Sequence, residues 1–136
     1  MKPFFLDTYA LVALVNVRDP DHDRVTAYMA NLDRPVVTTE WVIVESFNGL
    51  SHPTVRGPIF DLVRMLRIEK NITIVAYDIQ VYASGIYLFS TRPDKAWSLT
   101  DCISFAVMAD RRITDALTAD HHFTQAGFRA VFANNP

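Results

Sequence analysis

Four acidic residues lie in segments whose other residues are mostly apolar, which is an unusual environment for a charge. They occur in the segments FFLDTYALVALVN, WVIVESF, SLTDCISFAVM and ALTADHHF, at positions Asp7, Glu45, Asp101 and Asp120. An unpaired charge in an apolar environment is strongly unfavourable. A shared chemical task would explain why the chain keeps these four carboxylates.

Convergence of the four carboxylates would predict a metal site. Two like charges about 4 Å apart repel by about 4 kcal/mol at an effective dielectric constant near 20. Such acids stay ionised only around a cation, and otherwise some of them take up protons. Oxygen ligands suit the hard cations Mg²⁺ and Mn²⁺. Ions of this kind hydrolyse phosphodiesters by lowering the pKa of the attacking water and stabilising charge on the phosphate.

Each acid also has a structural explanation. Asp7 could cap the helix that follows it, and Ser98 with Asp101 fits the capping-box pattern. Asp120 could begin the short helix HHFTQAG. Glu45 is the hardest to explain in this way because it falls in the middle of a helix, although a buried glutamate with satisfied hydrogen bonds remains an alternative. The combination of all four favours a common site.

The elements that carry these acids alternate between strands and helices. Strands are predicted at Phe4–Leu6, at Val36–Thr38 and in NITIVAY and DALTAD, and RAVFAN is a candidate fifth strand. Helices are predicted at Thr8–Asn16, from Pro20 to about Leu32, in EWVIVESFNGL, in GPIFDLVRMLRIEK with Pro58 near its start, from Asp78 to about Ser90, and from Ser98 or Thr100 to about Arg111. This alternation predicts an α/β fold with a parallel sheet and helices on both faces.

The predicted sheet would bring two of the acids together. Ligands of open parallel sheets bind at the carboxyl ends of the strands. Asp7 follows the first predicted strand and Asp120 follows the fourth. Both are therefore expected at the same rim of the sheet.

Composition narrows the class of protein. The 136 residues predict one domain spanning 1–136, and a net charge of −2 argues against a strongly basic DNA-coating protein without excluding a nuclease. Cys102 is the single cysteine, which rules out an internal disulfide and fits a reducing compartment. The apolar N-terminal segment is interrupted by Asp7, so we interpret that segment as part of the fold and not as a signal peptide. No other segment approaches the about 18 apolar residues that a membrane span needs. A cytoplasmic location is expected.

Other polar residues are weaker candidates. His121 and His122 are interpreted as helix-start or surface residues, because adjacent residues do not normally converge on one metal. Glu40 complements the dipole of its helix or supports the site. Arg64 and Arg67 share a helical face that is either solvated or in contact with phosphates. The glycines form no phosphate-binding motif, which argues against a nucleotide cofactor.

Four blocks in series resemble the PIN-domain family, most closely the VapC-type ribonuclease toxins and their free-standing relatives. The blocks are FLDTYALVAL, TTEWVIVESFNGL, RPDKAWSLTDCISFAVM and ALTADHHFTQAGF, and the resemblance spans Asp7 to Phe128. It implies a three-layer α/β/α fold with a parallel central sheet. It also implies a Mg²⁺- or Mn²⁺-dependent endoribonuclease.

The resemblance also assigns roles to residues. The family's catalytic, metal-binding acids match Asp7, Glu45, Asp101 and Asp120. Thr8 and Thr100 are expected to hydrogen-bond these acids or metal-bound water, and Lys95 to contact phosphate or remain solvated. Tyr9 departs from the family, which commonly has Ser or Asn there, and this leaves the fine geometry near Asp7 open.

The leading hypothesis is therefore an endoribonuclease that cuts single-stranded or looped RNA and leaves 5′-phosphate and 3′-hydroxyl ends. The resemblance implies two partners, a small antitoxin whose arginine reaches the acids and a second copy in a homodimer. One alternative is a catalytically silent PIN-like module that binds RNA or protein. Another is a metal-dependent DNA nuclease or phosphatase.

Overall fold

Five strands form a single sheet in the computed structural model, which describes residues 1–133. The strands are β1 Phe4–Leu6, β2 Val36–Thr39, β3 Ile72–Val75, β4 Asp115–Leu117 and β5 Arg129–Ala130. Their order is β3-β2-β1-β4-β5, and every pairing is parallel. The predicted parallel sheet is confirmed, and the candidate fifth strand exists as a two-residue element. Residue 134 of that segment and the end of the predicted domain 1–136 lie outside the described residues.

Helices flank the sheet and complete the predicted three-layer α/β/α fold. Over residues 1–133 they are α1 Thr8–Val15, α2 His22–Ala30, α3 Glu40–Gly49, α4 Pro53–Ile68, α5 Ile79–Thr91, α6 Leu99–Asp110 and α7 His121–Gln125. Helix α1 packs against α2, α3 and α4, while α6 packs against α5, α3 and α7. None of the helices in this part of the chain is both long enough and apolar enough to cross a membrane.

Two predicted helix starts, each placed near a proline, are wrong. Helix α4 begins at Pro53, so Pro58 lies inside it rather than near its start. Pro53 tolerates the first helical position because no donor is needed there, and the His52 ring accepts a hydrogen bond from the Thr54 N–H. Helix α2 begins at His22, so Pro20 precedes the helix instead of occupying its first turn.

The core is built around β1 and α6. Every residue of β1 is buried, as expected for a central strand of a parallel sheet covered on both faces. Helix α6 approaches α5 closely at Gly85, where an added Cβ would collide with Ile103. This close packing fixes the helix whose first turn carries Asp101.

The strand order also locates the expected ligand-binding edge. The chain builds β1, β2 and β3 outward in one direction and then places β4 and β5 on the other side of β1. In open α/β sheets, ligands bind outside the carboxyl ends of the strands where the order reverses. That position lies between β1 and β4.

Candidate active site

Two of the predicted acids lie at the rim between β1 and β4. Leu6 pairs with Leu117, so the two strands end side by side. Asp7 comes directly after β1, and Asp120 follows β4 after two intervening residues. The sequence expectation that these two acids share one rim agrees with this placement.

Asp7 is buried and does not cap α1. Its side chain has a relative exposure of 5%, and it makes no cap hydrogen bond although it occupies the N-cap position. Its Oδ2 instead accepts a hydrogen bond of 2.8 Å from the Thr118 hydroxyl. The structural explanation of Asp7 as a helix cap is therefore wrong.

Thr118 links two of the acids, and the sequence analysis did not single it out. It is fully buried, and besides donating to Asp7 its Oγ1 accepts the backbone N–H of Asp120 at 3.1 Å. The available signal was a polar residue directly after the buried strand β4. A single hydroxyl thus fixes the position of one acid relative to another.

Glu45 joins the site through Thr8. The Thr8 hydroxyl donates a hydrogen bond of 2.6 Å to Oε1 of Glu45. Since Thr8 is the first residue of α1 and follows Asp7 directly, this bond holds the middle of α3 against the end of β1. The mid-helix position of Glu45 is thereby explained by a contact outside its own helix.

Asp101 is a helix cap as well as a member of the acidic cluster. Ser98 Oγ accepts the Asp101 N–H at 3.0 Å, and Asp101 Oδ2 accepts the Ser98 N–H at 3.1 Å, which completes a capping box. The same Oδ2 lies 3.2 Å from Nδ1 of His122. Asp101 therefore begins α6 and faces the rim at the same time.

Asp120 also combines capping with a place in the cluster. Its Oδ1 accepts the backbone N–H of His122 at 2.9 Å and so caps α7. That oxygen lies 3.4 Å from Nδ1 of His122 and 3.7 Å from Nδ1 of His121. The ligand atoms of these three residues all lie within 4.8 Å of one another.

The interpretation of His122 as a helix-start or surface residue is incomplete. It lies in the first turn of α7, which begins at His121, but its half-buried ring lies between Asp101 and Asp120. The first turn of α7 sets the two imidazoles side by side, with ring centroids 4.4 Å apart. His121 remains largely exposed.

Electrostatic coupling joins the four acids into one group. Burial raises the pKa of Asp7 to about 7, with the charges of Asp101 and Glu45 acting in the same direction and hydrogen bonds from Thr118 and the Thr8 backbone opposing it. Burial likewise raises the pKa of Asp101, and the charges of Asp120 and Glu45 add to this effect. Together with the contacts made by Thr8, Thr118 and His122, these interactions locate the four acids at one rim.

The donor set fits a divalent cation. Over residues 1–133, the ion pairs of these four acids involve only His121 and His122, and neither lysine nor arginine neutralises them. A buried carboxylate such as Asp7, next to other acids, carries uncompensated negative charge whenever it is ionised. Carboxylate oxygens with an imidazole nitrogen could hold a divalent ion.

The contacts with phosphate or metal-bound water that were expected of Thr100, Lys95 and Arg67 stay predictions. In the described part of the chain the Thr100 hydroxyl makes no hydrogen bond, although Thr100 lies in the first turn of α6. Lys95 Nζ lies 3.7 Å from Asp94. Arg67 binds both carboxylate oxygens of Glu40, at 3.1 and 2.7 Å. Glu40 and Arg67 thus tie α3 to α4.

Tyr9 is directed away from the acidic cluster. Its hydroxyl donates a hydrogen bond to Asp21 and accepts one of 3.2 Å from Arg24, while its ring contacts Phe132. The departure at this position therefore anchors α1 to the start of α2. The geometry of Asp7 is set by Thr118 and Thr8 instead.

Comparisons with known proteins agree with this architecture. The family model described as PIN domain matches residues 4–129. One similar solved structure is Mycobacterium tuberculosis VapC20, a sarcin–ricin loop cleaving toxin, with 23% identity, coverage of 94% of this chain and 98% of that chain, and a TM-score of 0.86.

Two further structures share the fold. FitAcB from Neisseria gonorrhoeae has 20% identity, coverage of 93% and 95%, and a TM-score of 0.63. DNA-bound VapBC from Salmonella typhimurium has 16% identity, coverage of 96% and 97%, and a TM-score of 0.64. A comparison with curated protein sequences gives no significant match.

Proposed function

Because this chain belongs to the PIN-domain family, we propose that it is a metal-dependent endoribonuclease of the VapC type. The observation that carries the proposal is the electrostatic interaction of four carboxylates at one rim, with Asp7 buried and its pKa raised to about 7. The ionised form of such an acid destabilises the fold unless a cation offsets its charge. The proposed cation is Mg²⁺ or Mn²⁺.

The acids divide into holding and orienting roles. Asp7, Asp101 and Asp120 would hold the cation directly or through water, and Glu45 would complete the ligand set or orient the attacking water. When bound, such an ion lowers the pKa of a water molecule and offsets the charge that develops on the phosphate. The water oxygen forms a bond to phosphorus, and the bond between phosphorus and the 3′ oxygen breaks. The 3′ oxygen takes up a proton and leaves as a hydroxyl.

Two threonine hydroxyls keep the carboxylates in place for this role. The bonds from Thr118 to Asp7 and from Thr8 to Glu45 each satisfy one oxygen of an acid. Hydrogen-bonded carboxylates keep a defined orientation, and partners of this kind tune metal ligands. Thr8 and Thr118 therefore act as positioning residues.

The substrate and partners are proposed from the similar structures and from the family resemblance. VapC20 is described as cleaving the sarcin–ricin loop, and we propose a looped or single-stranded RNA as the substrate here. The Salmonella typhimurium neighbour is a VapBC assembly bound to DNA, which supports a small antitoxin as a partner of this chain. A homodimer is proposed on the resemblance alone.

Cleavage of defined RNA tests the proposal. Looped and unstructured RNA are incubated with Mn²⁺ or with chelator, and the product ends are mapped. We expect Mn²⁺-dependent cleavage with 5′-phosphate and 3′-hydroxyl ends. The rate of RNA cleavage should be more than about a hundred-fold lower in the Asp7→Asn variant.

The matched control is Asp61→Asn, which removes an exposed acid of α4 and should cleave like the wild type. Cleavage that persists in chelator, or that is unchanged in Asp7→Asn, would contradict the proposal. RNA binding without cleavage under any metal would instead favour the catalytically silent module.

A further inference from the structure

The acidic rim contains a nitrogen donor in addition to its carboxylates. Nδ1 of His122 lies 3.2 Å from Oδ2 of Asp101 and 3.4 Å from Oδ1 of Asp120. These two acids come from different elements, α6 and the loop before α7. The imidazole is therefore placed between two of the carboxylates to which the proposed function assigns the cation.

The spacing is better suited to a shared ion than to two hydrogen bonds. Charge-assisted N–H to carboxylate bonds are usually about 2.7–2.9 Å long, which is shorter than either distance here. A single ring nitrogen carries at most one hydrogen and cannot donate fully to both acids. Neighbouring ligands on an octahedral ion, each about 2.1 Å from it, lie about 3 Å apart.

The surrounding contacts hold the ring in this position. The His122 backbone N–H is fixed by Asp120, and the next residue, Phe123, is fully buried. Gln125 of the same short helix accepts a hydrogen bond of 3.0 Å from the indole of Trp97. The backbone of α7 is thus anchored on both sides of the imidazole, so the nitrogen is pre-positioned.

His121 is the weaker candidate of the pair. Its side chain is 73% exposed, against 21% for His122. Its nitrogen approaches Asp120 alone, at 3.7 Å. It therefore serves as a matched control, since it has the same chemistry one residue away.

We propose that Nδ1 of His122 is a ligand of the divalent ion, which makes the site selective for a first-row transition ion such as Mn²⁺ over Mg²⁺. Mg²⁺ strongly prefers oxygen ligands and keeps much of its water, whereas imidazole nitrogen suits transition metals. This inference rests on the proposed function for the presence of a cation, and it specifies which cation and through which atom.

The test is electron spin-echo envelope modulation of Mn²⁺ bound to the purified, metal-stripped chain, which detects nitrogen bonded to the ion. Wild-type protein should show nitrogen coupling. The His122→Ala and His122→Gln variants should lose it, and His121→Ala should keep it. In titrations, the preference for Mn²⁺ over Mg²⁺ should fall about tenfold in both His122 variants and remain unchanged in His121→Ala.

Each result separates this inference from the proposed function. Mn²⁺ binding without nitrogen coupling in the wild type, or coupling that survives in His122→Ala, overturns the inference. If the same protein still shows metal-dependent RNA cleavage, the proposed function is supported and only the role of His122 is rejected. Coupling that depends on His122 in a protein that cleaves no RNA supports the inference and removes the proposed function.

Discussion

The two ends of the central strands treat their aspartates in opposite ways. At the amino end of β4, Asp115 lies between Arg34 and Arg129, each 3.0 Å from one of its oxygens. These arginines lower the pKa of Asp115, the Arg129 hydrogen bond most strongly. At the carboxyl end of β1, burial and neighbouring acids raise the pKa of Asp7.

The difference between the two acids is whether the chain itself supplies a positive charge to neutralise them. Asp115 is neutralised by the chain itself, and Arg34 also packs its guanidinium 3.7 Å from the centre of the Phe4 ring. Asp7 receives a hydroxyl and a backbone N–H but no cation from the described residues. Over residues 1–133, an acid with no internal cation beside it is what the proposed metal site would require.

The largest expected effect is the pH dependence of stability without metal. The pKa of Asp7 is about 7 in the folded chain, and its ordinary value is 3.8. Between these two pH values Asp7 is therefore protonated to a greater extent in the folded chain than in the unfolded chain. The contribution of Asp7 to the free energy of unfolding therefore falls as pH rises from about 4 to about 7, by up to about 4 kcal/mol. Urea denaturation in chelator at several pH values measures it.

The Asp7→Asn variant isolates that contribution, because all other titrating groups remain. The difference in stability between variant and wild type should grow in favour of the variant toward pH 8. A difference that stays constant from pH 4.5 to pH 8 would show that Asp7 is not buried as described.

The next effect concerns the hydroxyl that links Asp7 with Asp120. Thr118→Val removes a donor from Asp7 and an acceptor from the Asp120 N–H. The affinity for Mn²⁺ should fall about 10- to 100-fold, as for other partners of metal ligands, and calorimetric titration measures it. Thr118→Ser keeps the hydroxyl and should bind Mn²⁺ nearly as tightly as the wild type. If Thr118→Val bound Mn²⁺ as tightly as the wild type, Thr118 would have no positioning role.

The smallest effect is expected at the opposite end of the sheet. Asp115→Asn weakens the bonds to Arg34 and Arg129 and should lower the free energy of unfolding at pH 7 by about 1–2 kcal/mol. Because the pKa of Asp115 is lowered, this stabilisation is present above the ordinary pKa and is lost as pH falls through the folded value. Urea denaturation at pH 7 and pH 3 measures the loss.

RNA cleavage per folded molecule should be unchanged in Asp115→Asn, since Asp115 lies at the end of β4 opposite the acidic rim. A fall in cleavage similar to that of Asp7→Asn would erase the contrast between the two ends.

The fold was predictable because local patterns determine most of it. Short apolar segments such as Phe4–Leu6 alternate with helical ones, and Asp78 and Ser98 begin helices as expected. The start of α4 was missed because a histidine, His52, supplies the cap there. Side-chain types that rarely cap helices leave no clear boundary in a sequence.

The site was only partly predictable for a different reason. The four acids stand out locally, each as a charge in an apolar segment. Thr118 acts on a residue 111 positions away, and His122 faces an acid 21 positions away. Contacts made by the folding of distant segments leave no periodicity or spacing in the sequence.

Asp101 both caps α6 and places a negative charge at the rim, and different substitutions can remove these two roles separately. Oδ2 of Asp101 accepts the Ser98 N–H while facing the rim. An alanine there would unravel the first turn of α6 together with the site, so an inactive protein would reveal nothing about chemistry. An asparagine keeps a cap acceptor and removes the charge. If the charge were no longer required, helix capping alone would still favour a short side chain with an oxygen at this position.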